Sequence, residues 1–169
     1  MGMIAEYLMI DEETLNSLMD LNNEDLTNKL FEIEESGKFV CMDIDKIWDA
    51  LHCFLTGVSA SEPIEGDKLS EAIVGIHNFN IDDEDADFIT CTENEELTEI
   101  ITAIEKIEFD KLASNFDPKT LKKNKVYPKG IEQDSKEQLL GEFKQALSEI
   151  LEFYKKAVST KHHVIVSIL

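Results

Sequence analysis

The segment from residue 43 to 57, DIDKIWDALHCFLTG, holds the residues of this chain whose types and spacing best suit chemistry. Asp45, Asp49 and His52 recur at i, i+4 and i+7 around Trp48, which places two carboxylates and an imidazole along one stripe of a helix. A carboxylate beside a histidine raises the imidazole pKa and selects its tautomer, as general acid–base work or a weak metal site requires. Asp45, Trp48, Asp49 and His52 are therefore the candidate ligand-binding residues. A purely structural alternative competes with that reading. In it Asp45 caps the helix, His52 bonds a buried backbone carbonyl and Trp48 fills the core.

The acidic run IDDEDAD, residues 81–87, invites a cation because hard divalent ions want clustered oxygens. Asp83, Asp85 and Asp87 are weak metal candidates. Aligned to an EF-hand loop, they put Phe88 where glycine is needed and Asn94 where the bidentate Glu should stand, so that motif is excluded. A looser cation site, a docking strip for a basic partner and a solvated loop stay open.

Other pairs carry less. His52 and Cys53 are helix neighbours, which point about 100° apart, so they cannot work as base and nucleophile. His162 and His163 alternate across a strand and are expected as surface or edge residues. The three cysteines, Cys41, Cys53 and Cys91, form no CxxC pair, which fits a reduced, cytoplasmic protein. No P-loop, GxGxxG, GxSxG or HExxH is present, so no catalytic residue is assigned and no cofactor is indicated.

Charge narrows the partners. With 36 acidic and 16 basic residues the chain carries −20, which repels phosphate backbones and anionic lipid, and disfavours nucleic acid and membrane surfaces as partners. A basic protein is the partner that such a field attracts. No apolar run approaches the roughly 18 residues of a membrane span.

Helices and strands must position these residues. Residues 3–10 read as a strand leading to a helix capped at Asp11, and a second helix runs from Asn23 to Ser36 with Gly37 as its stop. Asp45 is the expected N-cap of the next helix, in which Ile47, Ala50, Leu51, Phe54 and Leu55 mark the apolar face up to Gly57. Leu69 to Ile76 is readable as a helix or a buried turn. Thr92 with Glu95, Asp117 with Pro118, and Ser135 with Gln138 are three further helix starts, and HHVIVSIL closes the chain as a strand. Strands at the two ends with helices between imply an α+β fold of one compact domain, residues 1–169. Its small, mainly antiparallel sheet includes the N- and C-terminal strands.

Several of these features together resemble the YfbM-like family of small bacterial proteins, a domain of unknown function. The likeness rests on the opening MGMIAEYL, the Asp-Lys-x-Trp-x-x-Leu-His core at 45–52, the LTG that follows, FDP at 116–118, Tyr127-Pro128 and the closing FY-to-strand segment. It spans nearly the whole chain and implies a compact bacterial α+β domain without an established activity. Family members often carry a second His after the Trp and a Gly-Gly pair after the middle apolar segment, where this chain has Asp49 and Gly75-Ile76. Two functional readings follow. One is a non-enzymatic, immunity-type or regulatory protein that recognises a basic partner. The other is a small-molecule or metal site on Asp45, Trp48, Asp49 and His52.

Overall fold

The first and last apolar segments of the chain pair with each other. In the computed structural model, which describes residues 2–169, β1 (Ala5–Ile10) lies antiparallel to β5 (His163–Ile168), with Tyr7 opposite Val166. Every residue of β5 is buried, so the sheet must be covered on both faces. The remaining strands, β2 (Cys41–Asp43), β3 (His77–Asn78) and β4 (Phe88–Thr92), extend it in the order β2-β1-β5-β4-β3, with all neighbours antiparallel. This is the α+β class expected, with three strands, β2, β3 and β4, beyond those at the chain ends.

Helices divide between the faces by which alternate strand residues they meet. Leu8, Ile10, Ile89, Cys91 and Ile165 pack under α1 (Glu12–Leu18) and α2 (Asn23–Ser36), with Leu15, Leu26 and Leu30 as the apolar contacts. Tyr7, Met9, Val164 and Val166 face a larger core built by α3 (Trp48–Thr56), α4 (Lys68–Val74), α5 (Asn94–Glu105) and α8 (Lys136–Ser159). Two short helices, α6 (Phe109–Asn115) and α7 (Lys119–Lys123), close that layer; Phe109 and Phe116, at the ends of α6, and Phe143 of α8 surround the Phe54 ring.

Most of the expected helix ends hold. Asp11 accepts from the Thr14 amide at 2.8 Å, Asn22 from Asp25 at 2.8 Å, and Ser135 from Gln138 at 3.1 Å. Two caps differ. Asp45 does not cap α3; it opens a 3-10 turn at φ 51, its own amide held by the Asp43 carboxylate at 2.9 Å. Likewise α5 is capped by a Glu93–Glu96 box, because Thr92 is spent as the last residue of β4.

The α4 end matters for the whole assembly. Its last carbonyls lack helix partners and would be buried orphans. Three side chains satisfy them: the Tyr154 hydroxyl donates to Ala72, the Tyr7 hydroxyl to Ile73 at 2.7 Å, and Thr90 Oγ1 to Val74 at 2.6 Å. Burial pushes both phenol pKa values up, so both remain donors.

Candidate functional site

The helix that carries the sequence candidates is a tether point for loops. Asp49, 3% exposed, accepts from the Ser59 hydroxyl at 2.9 Å and from the amides of Ala60 and Tyr127, each at 2.7 Å. His52 is fully buried, and its Nδ1 lies 2.8 Å from the Val58 carbonyl. A carbonyl can only accept, so Nδ1 carries the proton and Nε2 accepts from the Ser70 hydroxyl at 2.8 Å. Ser70 in turn accepts from the Ile64 amide at 3.0 Å, which pins the loop after α3 at both ends. Burial lowers the imidazole pKa against the raising influence of the Val58 carbonyl and Asp49. Trp48 donates to the Met3 carbonyl at 3.0 Å and stacks on Tyr127 with ring centroids 5.6 Å apart. Trp48 and Asp49 border a cavity of about 290 Å³ that Lys125 and Tyr127 also line.

Asp45 stands apart from those three residues. It is exposed on the rim of a larger groove of about 580 Å³. One wall is the end of β2 and the turn after it, Asp43 to Ile47; the second is the segment Pro128–Ile131 with Asp134; the third is the polar face of α8, Glu142, Gln145 and Glu149. Ile44, Ile131 and Ala146 are buried and make an apolar floor. Around it stand five carboxylates, Asp43, Asp45, Asp134, Glu142 and Glu149, against two ammonium groups, Lys46 and Lys129. Among the described residues none of these five pairs with a Lys or His within 4.0 Å. The groove therefore presents surplus negative charge above an apolar base, which suits a cationic, partly aliphatic ligand such as a Lys or Arg side chain.

Asp49 also positions this groove. Its carboxylate holds the Tyr127 amide, and Tyr127 leads directly into the Pro128–Ile131 wall. Sequence reasoning missed Asp43, Asp134, Glu142 and Glu149. For the last two a signal existed, since Glu142 and Glu149 stand at i and i+7 on α8, flanking the small Ala146.

The acidic run lies on the exposed loop between β3 and β4. There Asp83 accepts from the Asp85 amide at 3.0 Å, a bond within the loop, and Asp87 accepts from the Thr27 hydroxyl at 2.6 Å, which ties the loop to α2. His163 corrects the expectation of a surface or edge residue. It is 9% exposed, with Nδ1 accepting from the Asn94 amide at 3.0 Å and Nε2 donating to Glu12 at 2.6 Å. Burial, aided by nearby carboxylates, pushes the Cys41 and Cys53 thiols up to about 11 and Cys91 to about 12, which keeps them protonated at neutral pH.

Glu34 of α2 faces Glu6 of β1 beside Cys41. Desolvation, with Glu6 adding to it, raises the Glu34 pKa to about 7. A folded-state pKa raised above the ordinary 4.5 means stability that is full below pH 4.5 and lost as pH rises toward 7. Glu34→Gln is therefore expected to stabilise the protein at pH 8, by about 1 kcal/mol after allowance for solvent screening. At pH 4 it should be neutral. Urea titrations of both proteins at the two pH values check this; equal gains at both would refute the titration argument.

Comparison with known proteins adds a lineage to this geometry. Residues 1–167 match the family described as Domain of unknown function (DUF1877). The chain belongs to the DUF1877 family. It is 29% identical over 171 residues to Protein YfbM of Escherichia coli (strain K12), covering 100% of this chain and 99% of the relative. The crystal structure of that Escherichia coli protein of unknown function superposes with a TM-score of 0.82 over 99% of this chain and 100% of the other. The DUF1877 fold thus extends over the whole length of both proteins, as the YfbM-like resemblance implied, and it assigns no reaction. Among the described residues no helix is long and apolar enough to cross a membrane.

Proposed function

We propose that this DUF1877 protein is a non-enzymatic binding protein whose acidic groove docks a basic segment of a partner protein. The observation that carries the reading is the groove itself, with Asp43, Asp45, Asp134, Glu142 and Glu149 arranged over the apolar base of Ile44, Ile131 and Ala146. The net charge of −20 supports it by drawing basic partners toward every face. Asp45 belongs to this reading as a rim carboxylate. Trp48 and Asp49 belong to it as the residues that hold Tyr127 and hence the Pro128–Ile131 wall, while His52 secures the loop behind them.

The test is capture of a basic partner from the host lysate on immobilised protein, followed by a salt gradient and by variants. The bound protein is expected to elute as salt rises, because exposed charge pairs are screened. Asp134→Lys, Glu142→Lys and Glu149→Lys combined should weaken capture at least about a hundredfold, since each reversal turns an attraction of about 1 kcal/mol into a repulsion. A control with Glu24→Lys and Glu35→Lys, exposed on α2, should bind normally. Equal loss in both variants would mean that only overall charge matters, and the groove reading would fail.

A further inference from the structure

Away from the acidic groove, three side chains from β3 and from the start of α5 reach one point. Pairing of β3 with β4 sets His77 opposite Cys91, so these two share a face of the sheet. Glu93 follows two residues after Cys91, toward the same side. Glu96 lies in the first turn of α5; its carboxylate accepts from the Glu93 amide at 2.9 Å and stands 2.9 and 3.0 Å from His77 Nε2. One ligand atom from each of His77, Glu93 and Glu96 lies within 4.8 Å of the other two.

An ion pair would need only His77 and Glu96. The Glu93 carboxylate takes no part in that bond; it closes the α5 capping box on the Glu96 amide, which leaves it lone pairs for a further partner, and among the described residues no Lys comes within 4.0 Å of Glu93 or Glu96. Donors bound to one tetrahedral ion at about 2.0–2.2 Å sit about 3.4 Å from each other, so the 2.9 and 3.0 Å pair of His77 and Glu96 needs to open by only a few tenths of an ångström. Beside the trio, His77 and Glu93 line a cavity of about 350 Å³ with Leu15, Phe79 and Cys91. The positive end of α5 opposes a cation here, but it amounts to about half a unit charge against two carboxylates.

We propose that His77, Glu93 and Glu96 bind a divalent transition-metal cation of the zinc class, with a further coordination position open to the adjoining cavity. The imidazole favours such an ion over calcium or magnesium, which take all-oxygen shells. On binding, His77 Nε2 exchanges its hydrogen bond to Glu96 for the metal, and the ring proton moves to Nδ1. Three protein donors leave a fourth place for water or an anionic ligand group, as open zinc sites do.

Chelator-stripped protein should be titrated with cobalt(II), followed by its visible absorption, and then competed with zinc; calorimetry gives the stoichiometry. One equivalent per chain is expected. His77→Ala and Glu93→Gln should each weaken binding at least about tenfold, while His162→Ala, at a half-buried histidine whose ring bonds Thr160 and packs edge-on against Phe39, leaves it unchanged. Both ligand positions are at least partly exposed, and circular dichroism confirms that the variants fold. No binding in the millimolar range would overturn the proposal. So would several weak, salt-sensitive equivalents insensitive to His77→Ala, which would mark general attraction to the acidic surface.

Discussion

Asp49→Ala is expected to lower the unfolding free energy by about 4 kcal/mol, the range seen when one partner of a buried, multiply bonded charge is removed. The carboxylate serves donors from two distant segments, the Ser59 hydroxyl and Ala60 amide on one side and the Tyr127 amide on the other. Truncation leaves these groups without their acceptor and enlarges the cavity that Asp49 lines with Trp48 and Tyr127. Asp49→Asn keeps the volume but turns an NH₂ toward one of two amide donors, so about half the loss should persist, roughly 2 kcal/mol. Urea denaturation of the ligand-free protein measures both. A change below about 1 kcal/mol for Asp49→Ala would show that the tethers are replaceable by water, and the carboxylate would then be free for a ligand. The groove responds differently. Asp49→Ala should loosen the Pro128–Ile131 wall and weaken basic-partner binding although Asp49 is not among the groove's lining residues.

The same residue marks how far the sequence could be read. Helical spacing in residues 45–57 located α3 and its Gly57 stop, because the apolar repeat of Ala50, Leu51 and Phe54 is local information. It placed Asp49 and His52 on one stripe but could not say what would close over them, since Ser59, Ser70 and Tyr127 arrive from other parts of the chain. Asp45 was misread as a cap for a local reason. The side chain two residues earlier takes its amide, and the left-handed backbone at φ 51 turns it outward to the groove.

Strand β4 escaped notice for a similar reason. Phe88–Thr92 is five residues long, follows an acidic loop, and ends in a Thr that mimics a helix cap, so its strand character appears only when β5 pairs with it. The acidic groove was illegible as a unit. Its walls come from residues 43–47, 128–134 and 142–149, and no spacing rule links such distant pieces. His77, Glu93 and Glu96 are likewise brought together by the β3–β4 register and the α5 cap rather than by a motif.

Gly75→Ala is expected to be comparably severe, about 4 kcal/mol, for a different physical reason. At φ +79 and ψ −173 this residue occupies a backbone region essentially reserved for glycine, which alone accounts for about 1–3 kcal/mol. A Cβ there would also stand 2.0 Å from Thr90 Oγ1 and 3.0 Å from its Cβ. Thr90 cannot withdraw without surrendering its hydrogen bond to the Val74 carbonyl, one of the three that hold the end of α4 to the sheet and to α8. Its β-branched side chain has few rotamers to choose from. Thr90→Ala alone should lose about 1–2 kcal/mol by orphaning that carbonyl. In the Gly75→Ala background the same change should lose less, or recover stability, because it relieves the clash; a double-mutant cycle by urea denaturation reads that coupling. Strict additivity would mean that backbone strain alone makes glycine necessary. Either way the position feeds into the metal proposal. Gly75 sets the exit of α4 two residues before His77, so a distorted turn should weaken cobalt binding without touching a ligand.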